Sequence, residues 1–192
     1  QMCIRDRFIP HLGCPNDCIF CNQRSISGKR SFEEGAVKDG IEAALATVPD
    51  CEAEIAFFGG SFTGNDRGLM IRLLDTAKNF VRDGRVTGIR LSTRPDYISR
   101  EILDILSRYT VKTVELGIQS MDDNVLSAAK RGHTAADSEN ACRLVKEYGF
   151  SLVGQMMTGL PYSTPESEIM TAERICGLSA DGARIYPTMV FH

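Results

Sequence analysis

The sequence lacks any apolar run approaching the roughly 20 residues that a membrane-spanning helix needs. A signal peptide, repeats of fixed length and low-complexity linkers are missing as well. There is no surplus of positive charge, because 22 Lys and Arg stand against 25 Asp and Glu, a formal net charge of −3. These absences exclude a membrane span and a globally basic surface, although a local basic patch stays open. We therefore expect no membrane partners. The odd number of cysteines, in a chain that nothing marks as secreted, indicates a reducing compartment, so we expect a cytoplasmic protein.

A chain of 192 residues that is 43% hydrophobic and 24% charged is ordinary for one globular domain with a substantial core. Its seven cysteines are an odd number, and nothing marks the chain as secreted, so we do not expect a disulfide framework. Cys51, Cys142 and Cys176 are predicted to be small buried hydrophobic residues.

Both ends of the chain look atypical. Met2–Arg7 matches the translation of a transposon-end adapter used in sequencing libraries. We therefore expect residues 1–7 to be a non-native scar and leave them, with Cys3, outside the fold. Ile185–Phe191 has the pattern of a strand with nothing after it, so residues 8–192 are expected to form one core domain that is truncated at its C-terminal end.

Apolar runs and helical periodicity alternate along the chain. The first predicted strand ends near Gly13, and the others cover Ala53–Phe58, Val86–Leu91, Val111–Ile118, Phe150–Met157 and Ala183–Val190. Helix starts are marked by capping residues, namely Ser31 with Glu34, Ser99, Thr134 with Asp137, and Thr164 before Pro165. Six strands alternating with helices predict a parallel α/β fold with right-handed crossovers.

The unusual residues stand at the carboxyl ends of the predicted strands: Cys14, Gly59, Ser92, Gln119 and Gln155. In β/α barrels that rim binds ligands, whereas a doubly wound sheet binds them at one switch point served by fewer strands. Convergence of five strands on one site favours a partial barrel.

Three cysteines, Cys14, Cys18 and Cys21, form the pattern C-x3-C-x2-C just after an apolar run. Three thiolates in one loop repel each other unless a cation holds them, so we predict a metal centre. Because most cysteine sites close with four protein ligands, three leave one metal position for a ligand that is not protein. A structural zinc site with His11 as fourth ligand is the alternative, although zinc sites usually pair their cysteines as two C-x2-C arms.

This spacing resembles the signature of the radical S-adenosylmethionine (SAM) superfamily. There, the three cysteines hold a [4Fe–4S] cluster whose fourth iron binds the amino and carboxylate groups of SAM. The resemblance covers residues 8–192 and implies a partial (β/α)6 barrel of parallel strands. It also implies an enzyme that cleaves SAM reductively to a 5′-deoxyadenosyl radical, which abstracts hydrogen from a substrate. A one-electron donor of the flavodoxin or ferredoxin type is then required.

Three further segments, Val114–Ser120, Lys130–Thr134 and Met156–Pro161, resemble the branch containing the Elongator catalytic subunit and the oxygen-independent coproporphyrinogen oxidases. The resemblance implies that Gln119 bonds the ribose hydroxyls of SAM, that Arg131 bonds its carboxylate, and that Gln155 bonds the ribose or its surroundings. Arginine suits a carboxylate because its fork donates two parallel hydrogen bonds.

Phe20, Gly59, Gly60 and Ser92 complete the implied cofactor site. An aromatic residue before the last cysteine packs near the adenine in the superfamily, and Phe20 has that position. A glycine-rich turn meets the methionine amino group there, because a backbone without Cβ allows close approach. Gly59 and Gly60 match it, followed by Ser61 where the superfamily often has Glu. Ser92 stands where the coproporphyrinogen oxidases carry an acidic residue, which argues against their substrate.

Each of the other candidate site residues has two possible roles. Glu115 either faces the cavity or is a paired buried carboxylate. His133 is predicted to be structural rather than a general base. Tyr186, Met156 and Met157 line the barrel or belong to its core.

The Elongator-like segments imply modification of the tRNA wobble uridine, which makes tRNA a candidate partner. Against it stand the lack of an acetyltransferase domain in these 192 residues, the lack of a basic surplus, and a cysteine loop shorter than that of the Elongator subunit. Radical chemistry on a small molecule such as a tetrapyrrole is one alternative. A non-catalytic electron carrier or zinc-stabilised module is another, but it does not explain Gly59, Gly60, Gln119 and Arg131.

Overall fold

The computed structural model describes residues 3–8, 14, 18–21, 35–47 and 53–189, with residues 3–8 described by their backbone alone. Its strands are β1 (Cys3–Phe8), β2 (Ala53–Phe58), β3 (Gly88–Thr93), β4 (Val111–Gln119), β5 (Ser151–Thr158) and β6 (Gly182–Pro187). Its helices are α1 (Ala36–Leu45), α2 (Arg67–Arg82), α3 (Arg100–Leu106), α4 (Asp123–Ala128), α5 (Ala135–Glu147) and α6 (Pro165–Gly177).

All six described strands pair in parallel, in the order β1-β2-β3-β4-β5-β6. A doubly wound sheet reverses its strand order at a switch point, and no reversal occurs here. Because parallel crossovers are right-handed, consecutive order places the helices on one face of the sheet. The prediction of an α/β partial barrel with parallel strands is confirmed.

Side chains alternate across the strands and separate an apolar face from a polar one. On β4, Val114, Leu116 and Ile118 are fully buried in the core, to which α1, α2, α3 and α5 also contribute. Glu115, between them, instead bonds side chains of β3, β5 and β6. The helices thus cover the outer face, and the inner face of the curled sheet is polar.

Three of the predicted helix starts are confirmed by hydrogen bonds. Ser99 accepts from the backbone N–H of Ile102, and Thr134 and Asp137 form a reciprocal capping box. Thr164 caps α6, with Pro165 in its first turn. The predicted capping box of Ser31 with Glu34 lies outside the described residues, and α1 begins at Ala36.

Strand β1 differs from its prediction. It covers Cys3–Phe8 instead of ending near Gly13, and it pairs with β2 from Cys3 opposite Ala53 to Phe8 opposite Phe58. Leaving Cys3–Arg7 outside the fold was therefore wrong. Parallel pairing uses backbone groups that every residue except proline supplies in full, so composition does not exclude a segment from a sheet. The non-native origin of residues 1–7 and the domain bounds stay predictions.

The cysteines outside the C-x3-C-x2-C loop behave differently from one another. Cys142 is buried as predicted, and burial, helped by the charge of Glu139, raises its pKa to about 12. Cys176 is exposed, so its prediction was wrong. It follows the buried Ile175 on α6, and the next residue of a helix lies about 100° further round. Cys51 lies outside the described residues. Throughout the described part of the chain, every helix is too short or too polar to cross a bilayer.

Candidate functional site

A cavity of about 330 Å³ opens at the carboxyl ends of the strands. Residues at or near the carboxyl ends of β2, β3, β4, β5 and β6 line it together with the cysteine loop. All predicted site residues except Cys18 are among its lining: Cys14, Phe20, Cys21, Gly59, Gly60, Ser92, Gln119, Arg131 and Gln155. The fold therefore brings residues from distant parts of the sequence to one rim, as expected for a β/α barrel.

Cys18 is buried beside the cavity. Its Sγ accepts a hydrogen bond from Nη1 of Arg131 at 3.6 Å. The loop is tied down by its backbone as well, because the N–H of Ile19 donates to the carbonyl of Ala129 at 3.3 Å. A tight turn brings the N–H of Cys21 to the carbonyl of Cys18 at 2.9 Å. The cysteine loop is thus docked on the segment that follows α4.

Phe20 contributes to the cavity and to this docking. Its ring packs against a small apolar cluster of Val125, Ala129 and Leu160. The guanidinium carbon of Arg131 lies 5.9 Å from the ring centroid, within the range of a cation–π contact. Phe20 and Arg131 therefore hold each other in place at the edge of the cavity.

The three cysteines of the loop are thiols and are not joined in disulfides. Soft thiolate ligands select iron–sulfur clusters, zinc or Cu(I), so the donor chemistry fits a sulfur-rich metal centre. Within the described residues, no three Cys, His, Asp or Glu side chains converge closely enough to hold a single metal ion. The zinc alternative relies on His11, which lies outside the described residues.

Gln119 presents an unsatisfied acceptor at the cavity. A register shift between β4 and β5 at Gly117–Gln119 and a φ of 70° at Gln119 turn the end of β4. Oε1 of Gln119 is buried and has no hydrogen-bond partner among the described residues. A buried acceptor left unpaired costs about 1–3 kcal/mol, which a hydroxyl-bearing ligand would recover. The geometry therefore fits the ribose contact that the resemblance implies.

Two glycines permit close backbone approach at the rim. Gly59 has a φ of 120°, a conformation that favours glycine. At Gly117, the carbonyl accepts from Nη2 of Arg131 at 2.6 Å, and a Cβ would stand 2.7 Å from the same nitrogen. Gly117 is therefore needed to seat Arg131, a requirement that the sequence alone did not reveal.

Ser61 stands where the superfamily often has Glu, and it has a defined structural role. Its Oγ lies 2.8 Å from Oγ1 of Thr93 and accepts from the N–H of Arg94 at 3.3 Å. Oγ1 of Thr63 is 2.6 Å from that of Thr93. These hydroxyls join the turn after β2 to the end of β3, which holds Gly59 and Gly60 at the cavity.

A belt of charged and amide side chains crosses the inner face below the cavity. Glu115, fully buried, accepts from Arg90 at 2.9 Å, from Gln155 at 2.9 Å and from Arg184 at 2.9 and 3.2 Å. Arg90 also donates to Glu54 at 2.9 Å. The five strands β2–β6 contribute one residue each, so Glu115 is a paired buried carboxylate. Gln155 is thereby held in position at the cavity.

Several residues of the cavity were missed or left open by the sequence analysis, among them two arginines and a tyrosine. Arg94, Arg184 and Tyr186 all line it. Arg94 is 2% exposed and donates to both carboxylate oxygens of Asp96, at 2.9 and 2.8 Å. The signal that was available is the Arg-Pro-Asp sequence, in which proline starts a tight turn that brings Arg and Asp together.

His133, Met156 and Met157 are not among the residues that line the cavity. His133 is buried, and one ring nitrogen, Nε2, lies 3.3 Å from the carbonyl of Ile118. Burial, helped by the charge of Arg131, lowers the pKa of His133 to about 4. Met156 belongs to the main core, and Met157 packs on the cluster that holds Phe20.

The chain belongs to the radical SAM superfamily. The family model described as the radical SAM superfamily matches residues 8–175, which include the cysteine loop and strands β2–β5. Membership implies a [4Fe–4S] cluster and SAM as cofactors, and the loop thiols, which are not in disulfides, and the unpaired acceptor of Gln119 fit these groups.

Individual relatives share the fold and lie on the branches suggested by the motifs. The tRNA uridine(34) acetyltransferase of Dehalococcoides mccartyi (strain CBDB1) is 27% identical over 219 residues, covering 93% of this chain and 47% of the relative. The solved structure of Methanocaldococcus infernus Elp3 has a TM-score of 0.75 at 21% identity, covering 100% of this chain and 46% of that one. Coproporphyrinogen III oxidase of Escherichia coli has a TM-score of 0.73 at 20% identity, covering 99% and 44%. The chain thus spans about half the length of these relatives.

Proposed function

We propose that this chain is the catalytic core of a radical SAM enzyme that modifies a uridine of tRNA. The observation that carries the chemistry is one cavity in which Cys14 and Cys21 of the C-x3-C-x2-C loop meet the residues implied for SAM. When bound, the cluster and SAM supply one-electron chemistry that yields a 5′-deoxyadenosyl radical, which abstracts hydrogen from the substrate. A flavodoxin- or ferredoxin-type donor provides the electron, and cysteines that are not joined in disulfides suit a reducing, cytoplasmic compartment.

The residues divide the work of binding these groups. Cys14, Cys18 and Cys21 hold the cluster. Polar groups of the cavity bind SAM. Gln119 accepts a hydrogen bond from a ribose hydroxyl, and the backbone at Gly59 and Gly60 faces the amino group. Arg131, beside Cys18, suits the carboxylate. Remaining contacts to adenine and ribose come from Phe20, Ser92 and Gln155, of which Gln155 is held by Glu115.

The uridine substrate is supported by the curated relative and by the Elongator-like segments. The relative that covers 93% of this chain is named a tRNA uridine(34) acetyltransferase. Ser92 lacks the carboxylate that the coproporphyrinogen oxidases carry at this position. The 20% identity to the solved oxidase supports a shared fold and not a shared substrate. Tyr186 and Arg184, the latter paired with Glu115, are on β6 and line the cavity.

Anaerobic reconstitution tests the chemistry. We expect a brown protein with about four irons, held by the cysteine loop, that forms 5′-deoxyadenosine from SAM when dithionite is added. Cys18→Ala should lose both the iron and the product. Cys176→Ala, an exposed cysteine of α6, is the matched control and should keep both. Colourless protein containing one zinc would refute the proposal in favour of a non-catalytic module.

The substrate is tested separately on the reconstituted enzyme. A tRNA with uridine at position 34 should increase the rate of SAM cleavage, and the same tRNA with cytidine at that position should not. A small-molecule substrate would instead leave SAM cleavage insensitive to both tRNAs. Equal stimulation by the two tRNAs would point to nonspecific phosphate binding and would contradict the uridine assignment.

A further inference from the structure

Arg94 is a buried cation whose hydrogen bonding is incomplete. Two of its guanidinium nitrogens, Nε and Nη2, donate to Asp96. The third, Nη1, is buried and has no hydrogen-bond partner among the described residues. Buried donors in proteins are rarely left without a partner, so one that lines a ligand cavity points to an acceptor in the ligand.

The guanidinium is held in a fixed orientation. Asp96 pairs with the Nε–Nη2 edge in a bidentate fork, which restricts rotation of the planar group. The main chain is fixed as well, because the N–H of Arg94 donates to Oγ of Ser61. These contacts therefore fix the position of the remaining edge of the guanidinium, which carries Nη1.

The cysteine loop is close to this cation. Cys14 lines the same cavity as Arg94. Burial opposes the charge of Arg94, but its pKa is nevertheless raised, by Asp96 and by negative charge on Cys14 and Cys18. The guanidinium thus has a surface-facing anion, Asp96, on one edge and two cysteine ligands of the proposed cluster within electrostatic range.

We propose that Arg94 is a fixed cation that stabilises the reduced iron–sulfur cluster by donating a hydrogen bond from Nη1 to a cluster or cysteine sulfur. This inference rests on the proposed function. Reduction transfers one electron from the external donor to the cluster and adds one negative charge, and no bond breaks. A positive charge held in a site of low dielectric stabilises that added charge, and hydrogen bonds to sulfur act in the same direction. Arg94 therefore raises the reduction potential.

Redox titration of the reconstituted protein, followed by electron paramagnetic resonance without SAM, measures this effect. Arg94→Gln should lower the equilibrium constant for one-electron reduction at least tenfold, which is about 59 mV. Asp96→Asn should shift the potential in the opposite direction, because it removes the anion and keeps the cation. Opposite signs distinguish an electrostatic role from a structural one, which would weaken cluster binding in both variants.

Two further variants sharpen the comparison. Arg100→Gln removes the same charge from a side chain that is 66% exposed and paired with Glu147, so water should screen its effect. Arg94→Lys keeps the charge but loses the fork, and its potential should lie between those of Arg94→Gln and the unchanged protein.

Several results would overturn the inference. The first is a reduction potential of Arg94→Gln equal to that of the protein without substitutions. The second is a shift of the potential that is seen only with SAM present, because it would assign Arg94 to the SAM carboxylate. If Arg94→Gln assembles no cluster, Asp96→Asn decides: a raised potential supports the inference, and an unchanged or lowered one ends it. If the protein cleaves SAM but the substitutions leave its reduction potential unchanged, this inference alone is refuted. If the protein without substitutions assembles no four-iron cluster, the proposed function is refuted as well.

Discussion

Two buried polar residues indicate which hydrogen-bonding groups a ligand of this cavity must supply. Gln119 and Arg94 each keep one buried polar atom without a partner in the described part of the chain, one an acceptor and the other a donor. Buried polar groups are normally satisfied within the protein, and unsatisfied ones accumulate where a ligand completes them. The two atoms are therefore more informative about the site than its exposed charges.

His133 should make the folded state sensitive to acid. Its folded pKa of about 4 lies below the ordinary value of 6.5, because the buried ring disfavours the charge. The unfolded chain therefore binds a proton first as pH falls, and stability present above pH 6.5 is lost as pH approaches 4, by about 3 kcal/mol. Urea unfolding of the protein and of His133→Gln over this range measures the loss.

The His133→Gln variant should show a flatter dependence of unfolding free energy on pH over that window. It retains an N–H able to donate to the carbonyl of Ile118, so its stability near neutral pH should change little. Parallel loss of stability in both proteins would show that other groups, and not His133, govern the acid transition.

Glu115 should be among the most sensitive charged positions. Glu115→Gln leaves the buried guanidinium of Arg90 and the half-buried one of Arg184 with a neutral partner, and loss of one member of a buried ion pair costs about 3–5 kcal/mol. Chemical denaturation gives the free energy of unfolding. Glu101→Gln is the matched control, because that carboxylate is 75% exposed in its pair with Arg67 and should contribute about 0–1 kcal/mol. Equal costs at both positions would contradict the role assigned to the belt.

At the scale of elements, the turns after the strands and the cysteine loop form one connected unit. Ser61 and Thr93 join the turn after β2 to the end of β3. Ile19 and Ala129 join the cysteine loop to the end of α4. These links cross between βα units, so the site depends on how the units are placed against each other and not on any unit alone.

The packing of α6 on β5 depends on a glycine. A Cβ at Gly154 would lie 2.6 Å from Cγ2 of Ile175, closer than real side chains approach. Gly154→Ala should therefore destabilise the protein by about 1–3 kcal/mol, as overpacked cores do. Thermal and urea unfolding provide the measurement.

Two variants control for that substitution. Gly182→Ala places a Cβ 3.6 Å from Cγ2 of Val153, an ordinary contact, and should change stability by about 0.5 kcal/mol or less. Ile175→Leu removes the clashing methyl and should restore part of the stability when combined with Gly154→Ala. An additive double variant would contradict the steric explanation.

At the scale of the molecule, β6 is an edge strand among the described strands. Among the described strands, none pairs with the outer edge of β6, and Ile185 there is 61% exposed. Exposed edge strands with apolar side chains promote self-association. We expect this chain of 192 residues to associate with increasing concentration, and Ile185→Lys to reduce that association, as measured by sedimentation.

Ile169→Lys is the matched control for the edge strand. Ile169 is 60% exposed, but it lies on α6, whose backbone hydrogen bonds are made within the helix. Its substitution should lower association less than Ile185→Lys does. An equal effect of both substitutions would attribute association to exposed apolar area in general.

The sequence by itself determined the local features of this protein: the three-cysteine loop, the alternation of strands and helices, and the caps at Ser99, Thr134 and Thr164. These depend on residues within a few positions of each other, which is why spacing and periodicity predict them. Comparison of motifs extended this to the superfamily and to residues such as Gln119 and Arg131.

Only the tertiary structure decided which distant side chains meet. Arg131 reaches Cys18 across 113 positions, and Arg184 reaches Glu115 across 69. The role inferred for Arg94 depends on the cavity that it lines, and the position of β1 depends on its pairing with β2. Such contacts follow from strand order and register, which no local pattern records, because each parallel pairing joins segments separated by a whole helix.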